Sequence, residues 1–188
     1  MPQALRVEED GLRDRDESQR ERLNPIFASV DGGRMRWLTL VFWIVLCFLA
    51  AGIGARWTTP EITGWYKTLV RPPIAPPNWV FGPVWTTLYL LMALAAWLVS
   101  QSAPSSSRSL ALILFLLQLA LNLAWSWLFF HRHAIGGALV EILLLWAAIA
   151  ATTLLFSRIT PTSAWLMVPY LAWVSFACVL NAAFWRLN

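Results

Sequence analysis

Five long apolar runs, separated by short polar links, organise this chain: residues 37–55, 79–99, 110–130, 134–156 and 164–185. Each lies near the ~20 residues that a membrane-crossing helix needs. None alternates apolar and polar positions as a membrane β-strand does, and a strand needs only about half that length. With no water in the bilayer core, helices satisfy the backbone of such runs. The pattern therefore predicts an all-α membrane protein, a bundle of five transmembrane helices with its ends on opposite sides. Three links are short (SQSAPSSSRS, HRH and SRITPTS), which makes helices 2 to 5 antiparallel neighbours. The connection 56–78 is longer and carries Trp57, Glu61, Trp65, Tyr66, Lys67, Arg71 and prolines 72, 73, 76 and 77. A long loop of this kind is a candidate lid over one end of the bundle.

Polar and aromatic positions inside the runs are also periodic. Gln118, Asn122, Trp125 and Phe129 share one helix face, and Tyr170, Trp173, Ala177, Asn181 and Phe184 share another. Trp85, Tyr89, Met92 and Ala96 do the same on the second helix. Amides at mid-membrane depth need partners away from lipid, so these faces point inward. Together they describe a mostly apolar pocket with a few orienting polar groups. A second reading stays open: amides that only join helices, and Trp37, Trp57, Trp97, Trp165 and Trp185 as an interfacial belt. Trp79 and Trp85, six apart, do not share a face; Trp79 is expected at the rim and Trp85 inside. Glu141 is the one ionisable carboxylate within the runs, either paired with Arg132 or serving a ligand or proton.

Composition sharpens this picture. Only 13% of residues are charged, against roughly 25% in soluble domains. Seven Arg and eight acidic residues fall in 1–36, a mixed-charge tail expected to be disordered and lacking the apolar core of a secretory signal. Counted with Arg20, Arg22, Arg34 and Arg36 of the tail, six cations lie on one face and five (Arg56, Lys67, Arg71, Arg132 and Arg186) on the other, so orientation is left open. Cys47 and Cys178 read as buried small residues, and His131 and His133 as interfacial ones. The chain carries no Walker loop, GxGxxG, HExxH, CxxC or nucleophile elbow, so no metal site, required cofactor or nucleic-acid partner is expected. It shows no internal repeat of the kind found in many transporters. Ala120 and Ala124, four apart on the third helix, form a candidate dimer seam.

The blocks PPNWVFGPVWTTLY (76–89), QLALNLAWSWLFF (118–130), ALVEILLLW (138–146) and PYLAWVSFACVLN (169–181) closely resemble the TspO/MBR family. These are the tryptophan-rich sensory and translocator proteins, also called peripheral benzodiazepine receptors. EITGWYKTLVRP (61–72) fits the family's first long loop, and the likeness covers about 37–188. The resemblance implies a five-helix bundle with a pocket beneath that loop, binding porphyrins, haem, sterols in animals, or synthetic drug-like ligands. It also implies homodimers, and in some members light-driven porphyrin breakdown involving tryptophans that match Trp85 and Trp173. Pocket positions carried over are Tyr66, Trp79, Trp85, Asn122, Trp125, Trp173, Ala177 and Asn181. The expected function is thus tetrapyrrole binding for transport, sensing or stress-related handling, with porphyrin-degrading or sterol-translocating activity as the alternatives. A bacterial cell membrane is the expected location; mitochondrial and bacterial outer membranes are the others the family occupies. Two positions depart from the pattern: Ile74 stands where an aromatic is usual, and Ala182 where the animal sterol motif has Tyr.

Overall fold

The computed structural model describes residues 33–188 in full. Helix α1 is assigned Gln3–Thr63, with its apolar span at Gly33–Thr63. Except for Gly33–Arg36, the expectation of a disordered 1–36 tail lies outside the described residues. Four further helices follow: α2 (Phe81–Ser100), α3 (Ser106–Ser126), α4 (Ile135–Ile159) and α5 (Pro161–Leu187). All five are long and apolar enough to cross a membrane. Among the described residues there is no strand.

The helix ends differ from those of the apolar runs because local chemistry, rather than hydropathy, sets them. Helix α3 begins at Ser106, not 110, since the Ser105 hydroxyl accepts a hydrogen bond from the Arg108 backbone N–H at 3.1 Å. Helix α5 begins with Pro161, whose fixed φ suits a first helical position and whose missing N–H costs nothing there. Helix α1 continues past residue 55 to Thr63, so Trp57 and Glu61 are helical, which corrects their expected place in the loop. The connection proper is therefore Gly64–Pro77, with one short helical turn at Trp65–Thr68; a second, Asn78–Val80, leads into α2.

Helix α4 packs on α3 and α5, and α2 packs on α5 and α3. Within the bundle, Leu40–Asn188, buried apolar side chains pack the end away from the long connection. Small residues (Ala93, Ala95, Ala96 and Ala111) bring the backbones close there, and Phe115 stacks on Phe156 at 6.0 Å. Trp43 of α1 meets Phe115 edge-on at 5.5 Å, closing that side. At the other end of the bundle the interior is hollow.

Helix α3 ends in a wide turn, Trp127–His131, in which the Arg132 N–H reaches back five residues to the Trp127 carbonyl at 2.9 Å. Such turns insert one extra residue and rotate the following side chains, often beside functional sites. Here Phe129 and Phe130 both become buried. His133, in the link to α4, sits at φ 53°, its ring stacked on Trp65 at 4.1 Å and its Nε2 3.0 Å from Glu61 Oε2. The pair is partly exposed and contributes at most about 1 kcal/mol.

Candidate functional site

The hollow end encloses a cavity of about 490 Å³, within the range of small-molecule pockets. Helix α2 contributes Trp85 and Tyr89, α3 Asn122 and Trp125, and α5 Trp173, Ala177 and Asn181. Tyr66 reaches the wall from the connection and is 4% exposed. Eight of the nine ligand-binding positions read from the sequence thus border one space. Trp79 does not: it is 75% exposed and lies outside the lining, because the turn Asn78–Val80 directs it away from the bundle.

Eleven of the residues lining the cavity are aromatic. Trp85 lies 5.6 Å from Tyr89 and 6.2 Å from Tyr170; Trp173 packs edge-on against Phe81 at 6.1 Å. Trp125 stacks on Phe129 at 5.2 Å, and Phe129 also meets Tyr66 and Phe184. Offset and edge-on pairs of this kind contribute about 0.5–1.5 kcal/mol each beyond burial. They fix the rings around the cavity.

The two amides on the wall also hydrogen-bond within the protein. Asn122 accepts from the Tyr89 hydroxyl at 2.8 Å and donates to the Tyr170 hydroxyl at 3.0 Å, joining α2, α3 and α5. Asn181 accepts from the Trp125 indole N–H at 3.0 Å and donates to the Ile135 carbonyl at 3.0 Å, joining α5, α3 and α4. Each therefore acts on the cavity by fixing the rings around it. Both readings of the sequence apply: the amides fasten the helices, and the faces they share still line a hollow.

Above the cavity, Arg71 donates to the Pro76 carbonyl at 2.9 Å and lies 5.6 Å from the Tyr66 ring. Burial pushes the Tyr66 hydroxyl above its ordinary pKa, with Arg71 pulling the other way. The Asn188 side chain grips Val70 at both backbone groups, accepting from its N–H at 2.9 Å and donating to its carbonyl at 3.2 Å. The connection is thereby fastened to itself and to the end of α5.

Glu141 is not paired with Arg132, whose guanidinium lies 5.7 Å over the Trp127 ring. The residue is 8% exposed, neither buried carboxyl oxygen has a hydrogen-bond partner, and it is not part of the cavity wall. An isolated buried acid costs stability. Replacing Glu141 with Leu is accordingly expected to leave the thermal midpoint in detergent unchanged or raised by a few degrees; a fall of several degrees would mean that the acid has a partner. Ala120 is exposed and Ala124 half-buried on α3, so the first of the two small residues faces outward. Cys47 and Cys178 are free thiols. No group of three or more potential metal ligands occurs among the described residues.

Sequence reasoning missed the wall supplied by α1. Ala51, Ala55, Thr58 and Ile62 all line the cavity at spacings of four, three and four. That helical periodicity was available, but it was hidden by ending the helix at residue 55. Asn78, also on the wall, carried no sequence signal.

The TspO/MBR family model matches residues 43–186. The chain is 42% identical over 153 residues to the tryptophan-rich protein TspO of Chlorobaculum tepidum, covering 80% of this chain and 96% of that one. It is 38% identical over 154 residues to the translocator protein of Bos taurus, covering 81% and 91%. Protein CrtK of Rhodobacter capsulatus is 37% identical over 147 residues, covering 78% and 90%. Five apolar spanning helices and matches of this extent make the chain an integral multi-pass membrane protein that belongs to the TspO/MBR family.

Proposed function

We propose that the cavity binds flat, hydrophobic tetrapyrroles such as protoporphyrin or haem, for transport, sensing or disposal. The observation that carries this reading is the ring of Trp85, Trp125 and Trp173 around one space of about 490 Å³. A macrocycle is itself an extended aromatic surface, and offset stacking against indoles adds to the gain from burying it. The hydrogen bonds of Asn122 and Asn181 hold the wall in place beforehand, so less ordering has to accompany binding. The Gly64–Pro77 connection acts as the lid, since Tyr66 projects from it onto the cavity wall. A second copy of the chain, meeting along α3 at Ala120 and Ala124, completes the proposed assembly.

Parallel titrations with protoporphyrin, haem and a sterol, following tryptophan emission in detergent, test the reading. Saturable quenching by the tetrapyrroles at one per chain is expected. Linear, unsaturable quenching, or tighter binding of the sterol, would contradict it.

A further inference from the structure

The residues lining the cavity are not equally covered. Those from α3, α4 and α5 are all buried or half-buried. Six lining residues are exposed, and they sit on two helices: Phe48, Gly52, Ala55 and Thr59 on α1, and Gly82 and Thr86 on α2. The first four follow at spacings of four, three and four, and the last two are four apart, so each set forms one stripe along its helix. A residue that faces both the hollow and the outside marks an opening. Two such stripes are the rims of a slot.

The packing of α1 accounts for it. The buried stripe of that helix, Trp43, Cys47, Ala50 and Gly54, leans on the bundle. Trp43 meets Phe115, and a Cβ on Gly54 would lie 3.5 Å from Ser126 Oγ of α3. Helices α1 and α2 are not among the pairs that pack closely. Apart from their own helices, nothing among the described residues lies within 4 Å of where a Cβ on Gly52 or Gly82 would stand. Both rims belong to apolar spans, so the slot faces lipid. The Thr86 hydroxyl donates to the Gly82 carbonyl at 2.9 Å, which uses up its donor within the helix.

The end toward the connection is closed. Tyr66 packs on Phe130 at 6.0 Å and on Phe184 at 5.3 Å, and all three are buried. Arg71 holds the Pro76 carbonyl and Asn188 grips Val70, fastening the connection over them. Entry past the connection has to separate this cluster, whereas entry between α1 and α2 passes residues that are already exposed.

We propose that the slot between α1 and α2 is the route by which guests reach the cavity: they pass sideways from the hydrocarbon of the bilayer, and the connection stays shut. This rests on the tetrapyrrole reading for the identity of the guest and adds its source, a molecule dissolved in the membrane rather than in water. The small residues on the rims admit a flat molecule edge-first.

The test places phenylalanine on both rims of the full chain. Gly52→Phe with Gly82→Phe starts from positions with free space and replaces two poor helix formers, so the thermal midpoint is expected to hold or rise. Stopped-flow quenching of tryptophan emission in detergent follows protoporphyrin entry, and dilution into empty micelles follows its release. A narrowed route slows both directions alike, so both rates are expected to fall about tenfold with affinity unchanged. Asn188→Ala frees the connection, and both rates are expected to match those of the unmodified chain. Unaltered rates in the double variant, weaker binding carried by faster release, or faster entry in Asn188→Ala overturns the proposal. So does a lower midpoint of the double variant, which would mean that the slot is packed shut. Pyrene, a flat hydrocarbon without the macrocycle's nitrogens or acids, separates this proposal from the reading beneath it. If the unmodified chain binds pyrene but not protoporphyrin, the tetrapyrrole reading falls and the slot is judged by the same rates with pyrene. If it binds neither, both fall.

Discussion

Trp85→Ala and Trp173→Ala are each expected to weaken porphyrin binding about tenfold, and the double variant about a hundredfold. The estimate follows from what the rings touch. Trp85 packs on Tyr89 and Tyr170, Trp173 on Phe81 and Phe176, and each leaves part of its surface on the cavity wall. Truncation removes the stacking surface offered to the ligand but enlarges a space that already exists, so its cost to the empty fold is smaller than that of a new cavity in a packed core. Quenching titrations on the three variants, alongside their thermal midpoints, check both halves. Unchanged affinity in the double variant would exclude these rings as the platform.

Asn122→Leu is expected to give a large loss of stability. The amide is 3% exposed and lies between two tyrosine hydroxyls, accepting from one and donating to the other. Leucine leaves both hydroxyls without a partner inside a helix bundle, a cost of about 1–3 kcal/mol each by aqueous-protein measures and nearer 0.6 by membrane measures. A total of roughly 1–6 kcal/mol should lower the thermal midpoint by several degrees. Changing Tyr89 and Tyr170 to Phe in the same chain removes the stranded hydroxyls, and most of the loss should return. If the triple variant is no more stable than Asn122→Leu alone, volume and not hydrogen bonding sets the cost.

The sequence carried the number of spans and the inward faces of α2, α3 and α5 because both are repeating patterns. Hydropathy over twenty residues marks a helix, and polar groups at helical spacing within it mark a face turned away from lipid. The ends of the helices were less legible, being decided by single residues such as Ser105 and Pro161. That error concealed Ala51, Ala55, Thr58 and Ile62 as part of the cavity. Individual hydrogen bonds were not legible either. Glu141 had a cation nearby in sequence, yet Arg132 turns to Trp127, and Asn181 bonds to the Ile135 carbonyl, which no pattern of side chains announces.

Trp185 illustrates the remaining ambiguity of aromatic residues in such chains. It is 57% exposed at the end of α5, as an interfacial anchor would be, while Trp85 and Trp173 line the cavity. Tryptophans of the same chain therefore meet different surroundings, an outer surface at Trp185 and the interior hollow at Trp85 and Trp173.

The account's central claim, that a guest sits inside the bundle, is tested most directly by filling the space. Ala177 lies on the cavity wall, half-buried on α5 between Trp173 and Asn181. Ala177→Phe places a ring in the hollow without disturbing the hydrogen bonds of Asn122 or Asn181. Binding of protoporphyrin to this variant, measured beside its thermal midpoint, should fall beyond detection while the midpoint holds. Undiminished binding to a folded Ala177→Phe protein would place the ligand on the outer surface and contradict the account.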